Sequence, residues 1–329
     1  LALKADIVAD QLYRLGGFAD PPIALTRPSP RLWGSQYEAV LYQGAGGKLG
    51  FKTNQHTGFP APAEAVIPLE ECHTLTPSLF AFLDLLDLDL PTLTRIILRE
   101  NEVGEIMVTL STSDDEPPEI ALDLPASVNF LLSDNEPANL LGKTHLRYQL
   151  GGLSGRVTAG VSWRANLYQS AALWGFLRST LPLNGDEHLL DLYAGAGWLS
   201  VLFAPHVDHI TMVESYPPAL TDADENLAAY DHITLIEGDA LAVVEDMLGE
   251  TRCEVALLDP LPAGLGAQMC VALSALAPKR LVYVSENPVS LAQDARVLAK
   301  EGKYHLRLVQ PFDFEPHTFH AVSVAFFER

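Results

Sequence analysis

The sequence predicts an α/β protein: a doubly wound, mostly parallel sheet in the second half of the chain, preceded by a β-rich region. Three observations carry this. After Asn166, short apolar strands alternate with helices, the signature of a parallel sheet covered on both faces. Between about Tyr37 and Arg164, apolar runs face one another across glycine clusters, as hairpins do. Finally, 48% of the 329 residues are hydrophobic and 19% charged, enough apolar mass for about two cores.

The elements follow in order. LALKADIVADQLYRLGG, at the start of the chain, sets acids inside an apolar helical period and reads as an amphipathic helix rather than a signal peptide. The chain begins at Leu1 and not at a methionine, so an upstream segment is expected to be missing. Residues 21–31 (PPIALTRPSPR) are proline-rich and read as a linker. Runs 37–42 and 49–53 flank Gly44, Gly46 and Gly47; runs 93–99 and 105–111 flank residues 101–104; runs 146–150 and 156–163 flank Gly151, Gly152 and Gly155. Each pair predicts a hairpin. One helix is expected among them, over 78–88 after the cap Thr76. Helices and strands then alternate from Leu167 to Lys300. The last two strands, near 304–309 and 321–327, have only a loop between them, which predicts an antiparallel edge.

Composition excludes several classes. There are 21 Lys+Arg against 42 Asp+Glu, a net charge of −21, which argues against indiscriminate nucleic-acid binding. One stretch is locally basic, with Lys279, Arg280, Arg296, Lys300, Lys303 and Arg307; a solvated face is its commoner meaning. Cys72, Cys253 and Cys270 are too few and too scattered for a disulfide scaffold or a metal cluster within this chain. The longest uncharged run, from Pro260 to Pro278, is broken by proline and glycine, so no membrane span is expected and a soluble cytoplasmic protein is the default.

The first strand of the α/β half ends as Asp191-Leu-Tyr193-Ala-Gly195-Ala-Gly197. Glycines at a strand-to-helix turn let a ligand approach the backbone and the free N–H groups of the next helix. A dinucleotide fingerprint would want a third glycine where Ser200 stands. An acid four residues before the first glycine is instead the S-adenosylmethionine (SAM) pattern of class I methyltransferases. Glu214 ends the second strand, where a carboxylate can accept from ribose hydroxyls. Asp239 follows the third, where one can accept from an adenine amino group, and Asp259 ends the fourth. Each acid alone is more often a cap or turn residue; four in the right order at successive strand ends point to a nucleotide site.

Longer stretches resemble one family, the bacterial RNA (uracil-C5)-methyltransferases acting on transfer and ribosomal RNA. PSPRLWGSQYEAVL (28–41) is similar to its "PSP…YRNKVEF", and KLGFKT (48–53) to its "LGFR". SWRAN (162–166) with Gln169 falls at "FFQxNxxQ", and LLDLYAGAGWLSVLFA (189–204) at "LDLYCGxGxFxLxLA". DPLPAGL (259–265) matches "DPPRxGL", VYVSENPVSLAQD (282–294) matches "VYVSCNPxTLARD", and PFDFEPHTFHAVSVAFFER (311–329) matches "PxDMFPHTxHVExVxLxxR". On these motifs the chain is identified as a divergent member. The resemblance implies a class I SAM-dependent methyltransferase fold, Rossmann-like with an antiparallel last strand. It implies an N-terminal helix and linker over 1–27, packed on the catalytic domain. A β-rich central domain over 28–164 and a SAM-methyltransferase-like domain over 165–329 complete it.

The departures bear on chemistry. Carbon 5 of uracil is a poor nucleophile, and the family activates it by adding a cysteine thiolate at carbon 6; a glutamate base then removes the carbon-5 proton. The cysteine position is Glu286 here and the base position is Val322. The glutamine that contacts SAM falls at Arg164, which cannot accept a hydrogen bond, and the arginine of "DPPR" at Pro262. Tyr193 is kept, while Trp198 replaces a position often smaller. The resemblance makes Arg164, Asp191, Tyr193, Gly195, Gly197, Trp198, Glu214, Asp239 and Asp259 the cofactor-binding set. It makes Cys72 a remnant iron–sulfur ligand whose three partners would precede Leu1, so no cluster is expected in this chain. His317 and His320 read as a hydrogen-bonded turn. Three functions are compatible with this pattern. The first is a SAM- and RNA-binding relative without covalent catalysis; the second, a SAM enzyme with non-thiolate chemistry in which Glu286 is a general base; the third, a protein-interaction role, which the acidic surface suits better than RNA.

Overall fold

The computed structural model describes residues 1–53, 65–86, 88, 90–120, 124–249 and 252–329. It divides into two compact units, one made of Leu1–Pro30 with Tyr168–Arg329 and the other of Arg31–Leu167. The chain opens with α1 (Ala2–Arg14), whose buried side is Lys4, Ala5, Val8 and Leu12 at helical spacing.

In the second unit, β1 (Glu38–Gln43), β2 (Leu49–Lys52), β3 (Val66–Pro68), α2 (Pro77–Leu85), β4 (Leu93–Glu100), β5 (Ile106–Thr112), β6 (Ala126–Leu131) and β7 (Pro137–Leu141) precede a two-stranded ribbon, β8 (His145–Leu150) and β9 (Leu153–Thr158). The three predicted hairpins are present as β1–β2, β4–β5 and β8–β9. The larger sheet runs β3-β2-β1-β4-β5-β6-β7. Its core includes Leu41, Leu79, Ile96, Leu98 and Phe130, all fully buried. Thr76 caps α2 as predicted, its hydroxyl accepting from the Leu79 amide at 3.3 Å. The helix is shorter than the predicted 78–88, ending at Leu85; Asp87 lies outside the described residues. The sequence reading missed β3, β6 and β7. Val66–Pro68 is too short to show alternation, and β6 carries Asn129 in its buried run. Its amide group donates to the Lys143 carbonyl at 3.1 Å and its carbonyl accepts from Asn139 at 3.0 Å, so its burial is satisfied by neighbours remote in sequence.

The first unit continues with α3 (Leu167–Thr180), β10 (His188–Leu192), α4 (Trp198–Phe203), β11 (His209–Glu214), α5 (Pro217–Leu227), β12 (Ile233–Glu237), α6 (Ala240–Asp246), β13 (Val255–Leu258), α7 (Gly266–Leu276), β14 (Arg280–Ser285), α8 (Pro288–Glu301), β15 (His305–Phe312) and β16 (Val322–Glu328). Every strand and helix predicted after Asn166 is present. The sheet order is β12-β11-β10-β13-β14-β16-β15, with β12 to β14 parallel and β16 antiparallel to both neighbours. The predicted antiparallel edge is therefore present, formed by the last two strands, with β16 inserted between β14 and the outermost β15. The order reverses between β10 and β13, and a crevice at their carboxyl ends is where such sheets take ligands.

The proline-rich stretch is not a linker. Ala24 and Arg27 amides donate to the Val309 and Pro311 carbonyls, both at 2.9 Å, while Val309 and Asp313 amides donate back to Pro22 and Arg27 carbonyls. Isolated parallel bridges at Ile23↔Val309 and Arg27↔Phe312 follow. The segment covers the open edge of β15, and its prolines fall where no amide donor is needed. Arg27 lies over the rings of Phe176 and Phe312, 4.6 and 5.9 Å from their centroids. Val8 and Leu12 of α1 join the same core as Leu291, Ala295 and Leu298 of α8. No helix among the described residues is long and apolar enough to cross a membrane.

Candidate functional site

The carboxyl edge of the parallel strands gathers most of the predicted residues. Asp191, on the central strand β10, is fully buried. Its Oδ2 accepts from the Ser200 hydroxyl at 2.7 Å, whereas Oδ1 is buried with no hydrogen-bond partner. Burial pushes this carboxyl up to about 7, against the pull of the Ser200 hydrogen bond; the charges of Asp259 and Glu214 add to the push. An acceptor held dry and half-satisfied is one that a ligand's donor would complete.

The turn after β10 places Tyr193, Gly195 and Gly197 at φ of 60°, 55° and 78°. The two glycines differ in what surrounds them. A Cβ on Gly197 would meet Ala223, Leu227 and Met212 at 3.2–3.4 Å, so this glycine lets α5 pack against the turn. A Cβ on Gly195 would meet nothing within 4 Å, so its face opens outward. The Gly195 amide donates to Glu214 Oε2 at 2.8 Å, and Glu214 Oε1 accepts from the Ser215 and Tyr216 amides at 2.8 and 2.9 Å. The Glu214 carboxylate thus fixes the turn and keeps one lone pair, on Oε2, for a further donor. Burial pushes the half-buried Tyr193 phenol up to about 12. Asp239 is exposed and caps α6, accepting from Ala242 at 3.0 Å. The Asp259 amide donates to the Leu192 carbonyl at 3.3 Å, holding that residue beside the end of β10. Trp198 opens α4 with its ring stacked on Trp174, centroids 5.1 Å apart and planes 7° apart, both buried. Arg164 belongs to the other unit, in the segment after β9, and is half-buried.

Glu286 and Val322 both lie at the carboxyl edge: Glu286 follows Ser285, the last residue of β14, which pairs with Ser323, and Val322 precedes Ser323 and pairs with Phe312. Glu286 is exposed and Val322 is buried. No thiol stands in for either. Cys253 is buried and pushed up to about 12, chiefly by burial, and Cys270 is pushed higher still for the same reason. Cys72 belongs to the other unit, where its sulfur lies 3.3 Å from the Thr74 hydroxyl. Among the described residues no group of three metal-ligating side chains occurs.

Three residues that shape this edge escaped the sequence reading. Asp294 is buried and accepts from the Leu265 and Gly266 amides at 2.8 and 3.1 Å and from the Tyr283 hydroxyl at 2.8 Å. It caps α7 from a distance, tying the loop after β13 to β14 and α8. Asn287 caps α8 through the Val289 amide at 2.9 Å and donates to the Pro262 carbonyl at 3.1 Å. The Asn-Pro pair opening a helix was a readable cap signal. Lys4 of α1 is buried; its ammonium donates to Asp313 Oδ1 at 2.5 Å and to the Glu315 and His320 carbonyls at 2.9 and 2.5 Å. All three protons are used to close the turn from β15 to β16. His317 sits in that turn at φ 69°, and the His320 amide donates to the Thr318 hydroxyl at 3.2 Å.

Known proteins resemble this architecture along its length. No protein-family model matches the chain. A protein of Bacillus cereus named as an uncharacterized RNA methyltransferase is 28% identical over 99% of this chain and 78% of its own length. One from Halalkalibacterium halodurans, named likewise, is 30% identical over 72% of this chain and 56% of its own. Among solved structures, the Pyrococcus abyssi tRNA (uracil-54, C5)-methyltransferase in complex with S-adenosyl-L-homocysteine superposes with a TM-score of 0.73. It is 20% identical over 99% of this chain and 83% of that one. The chain is a divergent relative of the bacterial proteins named RNA methyltransferases, built on the fold of an archaeal tRNA (uracil-54, C5)-methyltransferase.

Proposed function

We propose that the protein binds SAM at the turn 191–197 and binds RNA, without methylating uracil carbon 5 by the covalent route. The observation that carries the second part is that Glu286 and Val322 stand at these two positions, beside the paired Ser285 and Ser323. In the family that position pair is a nucleophile and a base. A carboxylate is a far weaker conjugate-addition nucleophile than a thiolate and would repel an incoming enolate, and valine holds no proton. The cofactor reading rests on the unpartnered Asp191 Oδ1, suited to an ammonium, and on the outward face of Gly195. The Glu214 carboxylate, suited to a ribose hydroxyl, supports the same reading. SAM would supply an electrophilic methyl group there. The names of the relatives support RNA as the substrate; the net charge of −21 confines any contact to a local surface.

Calorimetry with SAM tests the first part. Binding heat is expected, weakened by Glu214→Ala; no heat at millimolar ligand would overturn it and leave the fold to a protein-interaction role. The exposure of Glu286 at the carboxyl edge favours one second reading, methylation by non-thiolate chemistry with Glu286 as general base. Tritiated-methyl transfer to total RNA separates the two, because the first predicts no label. Converting Glu286→Cys with Val322→Glu is expected to yield a covalent adduct with 5-fluorouracil RNA that the parent does not form.

A further inference from the structure

We propose that Phe319 and His320 form a stacking platform for an unpaired RNA base beside the candidate site; this rests on the reading above that the protein binds RNA. Phe319 is 63% exposed, yet its ring stacks on His320 with centroids 4.3 Å apart and planes 29° apart. The pair therefore presents one aromatic face to solvent on a turn, where a large apolar ring gains nothing for folding. A single exposed phenylalanine would be unremarkable. Three further observations give this one a role.

The first is position. β15 runs parallel to β14, so the turn from β15 to β16 rises from the carboxyl edge, with Phe319 three residues before Val322. The second is rigidity. Lys4 holds the turn at both ends through Glu315 and His320 carbonyls, and Asp313 anchors the lysine. The third is company. Leu261, in the loop after β13, is 72% exposed, and Val289, in the first turn of α8, is 39% exposed. Both rise from the same edge. Exposed apolar groups and a fixed ring around a methyl-transfer site suit a base taken out of its stack, whose faces need new partners and whose charge is zero. Stacking of this kind is compatible with an acidic protein, because it does not draw on phosphate contacts.

The test uses the full chain and a single-stranded oligonucleotide whose one 2-aminopurine is flanked by abasic spacers, so that its fluorescence starts unstacked and falls on stacking. The parent is expected to quench it. Phe319→Ala and Phe319→Leu are expected to lose the quench and weaken binding by roughly tenfold or more, and Phe319→Trp to retain both. Leucine keeps the apolar contact and removes the ring, so it isolates stacking. Equal quenching and affinity in Phe319→Ala and the parent would overturn the platform, as would the absence of any quench by the parent. Calorimetry with SAM on the same variants is expected to be unchanged. Lost SAM heat in every protein, with the quench intact, would refute the cofactor reading and leave the platform standing.

Discussion

Replacing Lys4 by methionine removes a buried side chain that ties the N-terminal helix to the turn from β15 to β16. The lysine and Asp313 side chains are each 6% exposed, and they lie 309 residues apart in the chain. Deleting the cation leaves a buried carboxylate without its partner, which costs about 3–5 kcal/mol. The two carbonyls it also served lie on an exposed turn where water can replace it, so they add little. The assay is urea unfolding followed by near-ultraviolet circular dichroism. The stacked Trp174–Trp198 pair lies in the same compact unit and contributes to that signal. Lys4→Met is expected to lower the unfolding free energy by about 3–5 kcal/mol, and adding Asp313→Asn to restore at least about 2 kcal/mol of that loss. A shift below about 0.5 kcal/mol, or strict additivity of the two changes, would refute the account of a coupled, buried pair.

Other outcomes follow from the same geometry. Asp191 has its carboxyl pushed from 3.8 to about 7, so the folded state holds the proton more tightly than the unfolded one. That favours folding below about pH 4 and is lost as pH rises through 7, at up to roughly 4 kcal/mol for three pKa units. Asp191→Asn should accordingly be more stable than the parent at pH 8, with the gap closing toward pH 4; a pH-independent gap would contradict the assignment. Gly195→Ala should fold with a loss of about 1 kcal/mol, because only its positive φ is strained, and should still weaken SAM binding. Gly264→Ala, whose Cβ would lie 2.6 Å from Asp294 and 2.7 Å from Ser290 at φ +84°, should destabilise by about 2 kcal/mol or more in the same urea assay. Asp294→Ala leaves two amides and the Tyr283 hydroxyl unpaired in the interior and should cost about 2–4 kcal/mol.

The α/β half was legible because its inner strands β10, β13 and β14 are buried almost throughout, so their apolar runs coincide with the strands. β13 is an apolar run from end to end, Val255–Leu258, and β14 holds one inside Arg280–Ser285. What escaped depended on partners far along the chain. Residues 22–27 look like a linker until β15 supplies the acceptors. Asn129 hides β6 because its amide is satisfied from Lys143 and Asn139. In the site, the acids at the strand ends were readable, and their individual work was not. Asp239 visibly caps a helix, Trp198 stacks within the core, and Asp191 holds one oxygen without a partner. Lys4 could not be found by any local rule, because a lone lysine in an amphipathic helix is ordinarily solvated.

The measurement that bears most directly on the whole account is nucleoside analysis by mass spectrometry after incubating the protein with RNA and methyl-labelled SAM, alongside the Glu286→Gln variant. With Glu286 and Val322 at the nucleophile and base positions, no labelled 5-methyluridine is expected from either protein. Protein-dependent 5-methyluridine that persists in Glu286→Gln would contradict it.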